Sequence, residues 1–126
     1  YLRMESKFEE KDNIIRSKSF DFSVRIVNLY KVLYYERNEK KLSKQLLRSG
    51  TSIGANIEEG IAAFSKKEFI FKLQISYKEA NESFYWIKLL YRTNYISDVE
   101  FESLKLNIEE IIKLLTSIIK SSKLNS

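Results

Sequence analysis

The residues best suited to chemistry are carboxylates. Glu58 and Glu59 are adjacent, and Glu79 and Glu82 stand three apart, a spacing that places two side chains on one helix face. Paired carboxylates can share acid and base work, and oxygen donors can hold Mg²⁺ or Ca²⁺. Di-iron sites in helical bundles also use paired acids, but they need Glu-x-x-His, and the chain has no His. It has no Cys either, so thiolate nucleophiles, disulfides and Cys-based zinc sites are excluded. Without His, Ser-His-Asp triads and the commonest base near neutral pH are excluded too. Nothing brings a nucleophile to a base and an orienting group. No catalytic residue, metal or cofactor is expected. The other reading of Glu79 and Glu82 pairs them with Lys or Arg, or puts them in a helix or subunit contact.

The second chemistry is electrostatic. Arg37, Lys40, Lys41, Lys44 and Arg48 lie within one short segment, and residues 31–48 hold six cations against two carboxylates. Lys41, Lys44 and Arg48 share a helix face. Such a stripe can contact successive phosphates of RNA or DNA, with affinity that falls with salt and ignores sequence. The chain as a whole carries +5 over 126 residues, and its pI is about 9.3. Two readings remain open, a phosphate-binding surface and an ordinary solvated lysine face.

A third group mixes small and polar residues: Ser49, Ser52, Asn56, Glu59 and Gly60. With Glu79, Glu82 and Trp86 they are candidates for an oligomer or interhelix interface, Arg48 being a salt partner for a carboxylate; the alternative is a ligand or nucleic-acid site. Aromatic residues make up 13% of the chain. Helical spacing assigns most of them to core or interface. Tyr34-Tyr35, beside the basic stripe, is the candidate for base stacking.

These groups must be positioned by helices. Phe22, Ile26, Leu29 and Leu33 form one helix face, with Ser19 as the expected N-cap. A second helix starts near Lys41 and runs through Leu42, Leu46, Leu47, Ile53, Ile57 and Ile61. All three glycines, Gly50, Gly54 and Gly60, lie inside it. Each costs about 1 kcal/mol relative to Ala in a helix, which favours close approach of a neighbouring backbone over a break. Ser65 and Glu68 form a capping box ahead of a third helix whose expected face is Phe69, Leu73, Tyr77, Ala80, Phe84, Ile87 and Tyr91. Asn94 is its expected stop. A second box, Ser97 to Glu100, opens a fourth helix with Phe101, Leu104, Ile108, Ile111, Leu115 and Ile118 at heptad spacing. There is no Pro and no strand-like alternation. The fold class is all-α, an antiparallel up-down-up-down four-helix bundle. Residues 1–18 read as a polar arm or frayed helix start, 19–121 as the bundle and 122–126 as a polar tail.

The segment from Leu46 to Asn94 carries a resemblance. Arg48-Ser49, Ser52-Ile53, Asn56-Ile57-Glu58-Glu59-Gly60, Ser65, Glu68-Phe69, Ile75-Ser76, Glu79-Ala80, Glu82 and Tyr85-Trp86 resemble the four-helix-bundle proteins encoded in intervening sequences of bacterial 23S ribosomal RNA genes. The accessory variability protein of diversity-generating retroelements is similar. The resemblance implies a homopentamer and nucleic-acid binding through basic ring surfaces. After Gly60, where many relatives carry Arg, this chain reads Ile61-Ala62-Ala63-Phe64, with Lys66 and Lys67 as the nearest cations.

The expected function is therefore a non-enzymatic, oligomeric, pentameric bundle that binds RNA or DNA by phosphate contacts. The alternative is a protein–protein adaptor or accessory subunit of a nucleic-acid enzyme such as a reverse transcriptase. No apolar stretch is long enough to span a membrane, and neither membrane partner nor leader is expected. Lack of Cys fits a cytoplasmic location.

Overall fold

The computed structural model describes residues 6–124. Its helices are α1 (Ser6–Lys31), α2 (Leu42–Ile61), α3 (Lys66–Arg92) and α4 (Asp98–Leu124). A single π-helical turn, Val32–Glu36, ends α1. The connections are too short to cross the bundle, so each helix runs antiparallel to the one before it, and α1 closes the bundle against α4. The result is an up-down-up-down bundle.

Each helix buries one seam at heptad spacing. In α1 it is Ile15, Phe22, Ile26 and Leu33; in α4 it is Leu104, Ile108, Ile111, Leu115 and Ile118. The third helix differs from the sequence expectation. Its core positions are Phe69, Leu73, Ser76, Ala80, Ser83, Ile87 and Leu90, whereas Tyr77 is exposed and Phe84 and Tyr91 are half-buried. Apolar periodicity selects the aromatic neighbours, but α2 and α3 come too close to admit them. Serine fits there because its hydroxyl finds a partner across the gap: Ser76 donates to the Ile53 carbonyl at 2.8 Å, and Ser83 to Ser49 Oγ at 2.8 Å. Within an unbroken α2, Gly60 serves that contact with α3, while Gly50 lets α1 come close on the other side. A Cβ at Gly60 would lie 2.9 Å from Leu73 Cδ1, and one at Gly50 would lie 3.0 Å from both γ carbons of Ile26.

The first helix begins well before residue 19. Ser19 is not a cap; it is buried inside α1, and its hydroxyl donates to the Arg16 carbonyl at 3.2 Å. The polar stretch is helical because tertiary contacts hold it there. Ile15 enters the core, Arg16 pairs with Glu58 of α2, and Lys18 pairs with Glu110 of α4. At the other end, Ser122 is buried within α4, which extends to Leu124. Parts of the expected arm and tail, residues 1–5 and 125–126, lie outside the described residues.

Local chemistry sets the other boundaries. Ser65 Oγ accepts from the Glu68 N–H, and Ser97 and Glu100 satisfy each other's N–H groups at 3.1 and 2.8 Å. Asn94 ends α3 at φ +68°. The Asn94 and Tyr95 N–H groups donate to the Tyr91 and Leu90 carbonyls, which is a Schellman motif with Asn in the left-handed position. Asn38, at φ +59°, does the same for α1, but there the Glu39 N–H reaches back to the Leu33 carbonyl. That link is one residue longer because the π turn holds an extra residue.

Candidate nucleic-acid interface

The basic stripe sits at the end of the bundle where α1 finishes and α2 starts. Its five cations separate into two classes. Arg37 is tied down: its guanidinium donates to the Tyr95 carbonyl at 2.7 Å and to both oxygens of Glu100, linking the π turn to the α3–α4 connection. That hydrogen bond, with help from the Ser97 N–H, holds the Glu100 carboxyl below its ordinary value. Arg48 is bracketed by Glu79, at 3.1 Å, and by Glu82. Glu82 also accepts from the Trp86 indole N–H at 2.9 Å. That indole bond, followed by Arg48, pulls the Glu82 carboxyl down.

Lys40, Lys41 and Lys44 are exposed. No ion pair holds them among the described residues. Lys40 and Lys44 place their ammonium groups 5.2 and 5.5 Å from the Tyr34 ring centroid, within cation–π range. Tyr34 packs between Tyr30, at 5.4 Å, and Tyr35, at 4.8 Å. Tyr35 is 74% exposed.

The sequence reading missed Glu39, which had counted only as a charge offsetting the lysines. Its carboxylate turns inward, is 7% exposed, and accepts from the N–H groups of Lys41, Leu42 and Ser43. It thus caps α2, the role Ser or Asp usually takes. A Glu three residues before a helix whose N-cap position holds Lys41 rather than Ser, Thr, Asp or Asn was the available signal. Of the two carboxylates in this segment, Glu39 thus faces the protein, while Glu36 is exposed with the lysines.

The interface candidates divide similarly. Ser49, Gly60, Glu79 and Glu82 lie in the α2–α3 contact already described, and Glu59 joins them by pairing with Lys72 at 2.8 Å. Ser52 and Asn56 bond within α2, to the Arg48 and Ser52 carbonyls, and Trp86 bonds within α3. The four carboxylates face three different cations, Glu58 pairing with Arg16, and among the described residues no cluster of acids could hold a metal ion. Lys66 and Lys67 sit at the far end of α2, about 30 Å from Lys40 at 1.5 Å per residue. No described helix is long and apolar enough to cross a membrane.

The profile of the 23S rRNA-intervening sequence proteins matches residues 11–117. The chain belongs to this family. A crystal structure of a protein with unknown function from the S23 ribosomal protein family of Bacteroides thetaiotaomicron VPI-5482 is 57% identical, with a TM-score of 0.86. The match covers 87% of this chain and 98% of that one. No curated protein matches. The family match spans α1 through most of α4.

Proposed function

We propose that this intervening-sequence protein is a non-enzymatic, self-assembling bundle that binds RNA or DNA through phosphate contacts from Lys40, Lys41 and Lys44. The observation that carries the reading is the placement of three unpaired lysines at the N-terminus of α2. Glu39 already caps that end of the helix, so the lysines are the groups left to meet a bound anion. Lys40 and Lys44 gain the Tyr34 ring as a partner, and a bound polyanion would meet three exposed lysines. Arg37 and Arg48 support the surface by bracing the elements that carry it.

Self-assembly is supported by apolar side chains that the single chain leaves uncovered. Phe71 and Tyr85 on α3, Phe20 and Val24 on α1, and Phe64 before α3 are all exposed. Five copies would repeat the lysine patch around a rim and raise affinity by multivalency.

The test is fluorescence anisotropy with a short RNA and a duplex DNA over a salt series. Binding is expected to weaken with a log–log slope of roughly 0.7–0.9 per phosphate contacted. Changing all three lysines to Gln is expected to remove most of that slope. Absence of binding at low salt would refute the reading and leave the exposed aromatics to a protein partner. Sedimentation should give about five times the 15.0 kDa chain mass; a mass of one chain would refute assembly.

A further inference from the structure

We propose that Tyr35 is a base-stacking residue and that this surface therefore takes unpaired RNA or DNA strands in preference to duplex; the inference rests on the phosphate-binding reading above. Tyr35 occupies the π turn, and its backbone is fixed from several directions. The Arg37 N–H closes the wide turn on the Val32 carbonyl at 3.0 Å, and Leu33 beside it is fully buried. The Glu39 N–H bonds the Leu33 carbonyl at 2.8 Å, and the Arg37 side chain anchors the turn to Tyr95 and Glu100. The turn is thus a rigid mount.

The two adjacent tyrosines have different surroundings. Tyr34 is occupied, packed on Tyr30 and approached by Lys40 and Lys44. Tyr35 touches Tyr34 along one side, tilted by 60°, and is otherwise open. A large aromatic ring left open on a fixed backbone contributes little to the core. The Tyr35 ring lies 4.8 Å from that of Tyr34, over which the two ammonium groups sit, so the surface has what a nucleotide needs: cations for the phosphate and a flat ring for the base. Stacking of this kind works with any base, because every base has a π face. Duplex bases are already stacked on each other and cannot offer that face, whereas unpaired bases can. Poly-glutamate, an acidic protein mimic, would meet the lysines but offer nothing flat to Tyr35.

The experiment compares four probes at low salt: a thymidine oligonucleotide of about 20 nucleotides, an abasic strand of equal length, a duplex, and poly-glutamate. The intact chain is compared with Tyr35→Ala and Tyr35→Phe. Stacking on one aromatic changes affinity by roughly 5- to 150-fold. The intact protein is expected to bind the thymidine strand more tightly than the other three probes by a factor in that range. Tyr35→Ala should lose this advantage while keeping the abasic affinity and the salt slope, and Tyr35→Phe should retain it. Because the side chain is exposed, the alanine variant should fold normally, and unchanged circular dichroism checks this. The inference is overturned if Tyr35→Ala binds the thymidine strand as the intact protein does, or if duplex, abasic strand or poly-glutamate binds equally well. In those cases a lysine-dependent salt slope would leave the phosphate-binding reading standing. Failure of every probe to bind would remove both.

Discussion

Replacing Gly50 and Gly54 separately by Ala tests the packing argument directly, because the same substitution four residues apart should act in opposite directions. Both glycines lie inside α2, so each alanine gains about 1 kcal/mol of helix propensity. At Gly54 the new Cβ would sit 3.4 Å from Ser23 Oγ and 3.5 Å from the Ser19 carbonyl, which is ordinary contact. Most of the gain survives, and Gly54→Ala should stabilise by about 0.5–1 kcal/mol. At Gly50 the Cβ would meet Cγ1 and Cγ2 of Ile26 at 3.0 Å each. Ile26 has no exposed surface, and a β-branched side chain cannot swing aside within its rotamer. Overpacking of a filled core costs about 1–3 kcal/mol, and the steric fit here puts it in the upper part of that range. The net effect of Gly50→Ala is then a loss of about 1–2 kcal/mol. The two variants should differ by about 2 kcal/mol, or roughly 5–15 °C in Tm for a domain of this size. Thermal unfolding followed by circular dichroism measures this, with protein concentration held equal because assembly makes Tm concentration-dependent. A Tm for Gly50→Ala at or above that of the unmodified chain would refute the close-approach account of α2.

Arg37→Ala removes a bond to a carbonyl and a two-oxygen grip on Glu100, and should lower stability by about 1–2 kcal/mol in urea titration, with no change in the salt slope of nucleic-acid binding. Ser49→Ala strands the buried Ser83 hydroxyl without its acceptor and should cost about 1–2 kcal/mol; adding Ser83→Ala should recover part of that loss, a coupling that a double-mutant cycle reads. Glu82 and Glu100 both titrate below their ordinary 4.5 in the folded chain. Their contribution to stability is therefore present above about pH 4.5 and lost as pH falls through the lowered folded values. Tm measured from about pH 6 down to about pH 3 should decline, and the Glu82→Gln, Glu100→Gln double variant should flatten that decline; an unchanged profile would contradict the assignment.

Much of the architecture was legible because it depends on neighbours in the chain. The serine caps at Ser65 and Ser97, the Asn94 stop and the heptad of α4 all follow from interactions within a turn or two, and each appears where those residues placed it. The all-α bundle follows from the same local rules. What the sequence could not decide were choices between adjacent residues whose partners are remote. Ser76 and Ser83 displaced Tyr77 and Phe84 from the core because α2 approaches closely, which hydropathy does not encode. Residues 6–18 became helix with Ile15 buried in the core and Arg16 and Lys18 paired to carboxylates on α2 and α4. The basic stripe was visible as composition, but only the folded chain distinguished arginines held by Glu79, Glu82 and Glu100 from lysines left to solvent. Glu39 could be counted from sequence, yet only the fold turns it inward onto the α2 backbone and leaves Glu36 as the exposed carboxylate of the segment. Charge is a property of the residue, but its availability depends on what the fold brings within hydrogen-bonding reach.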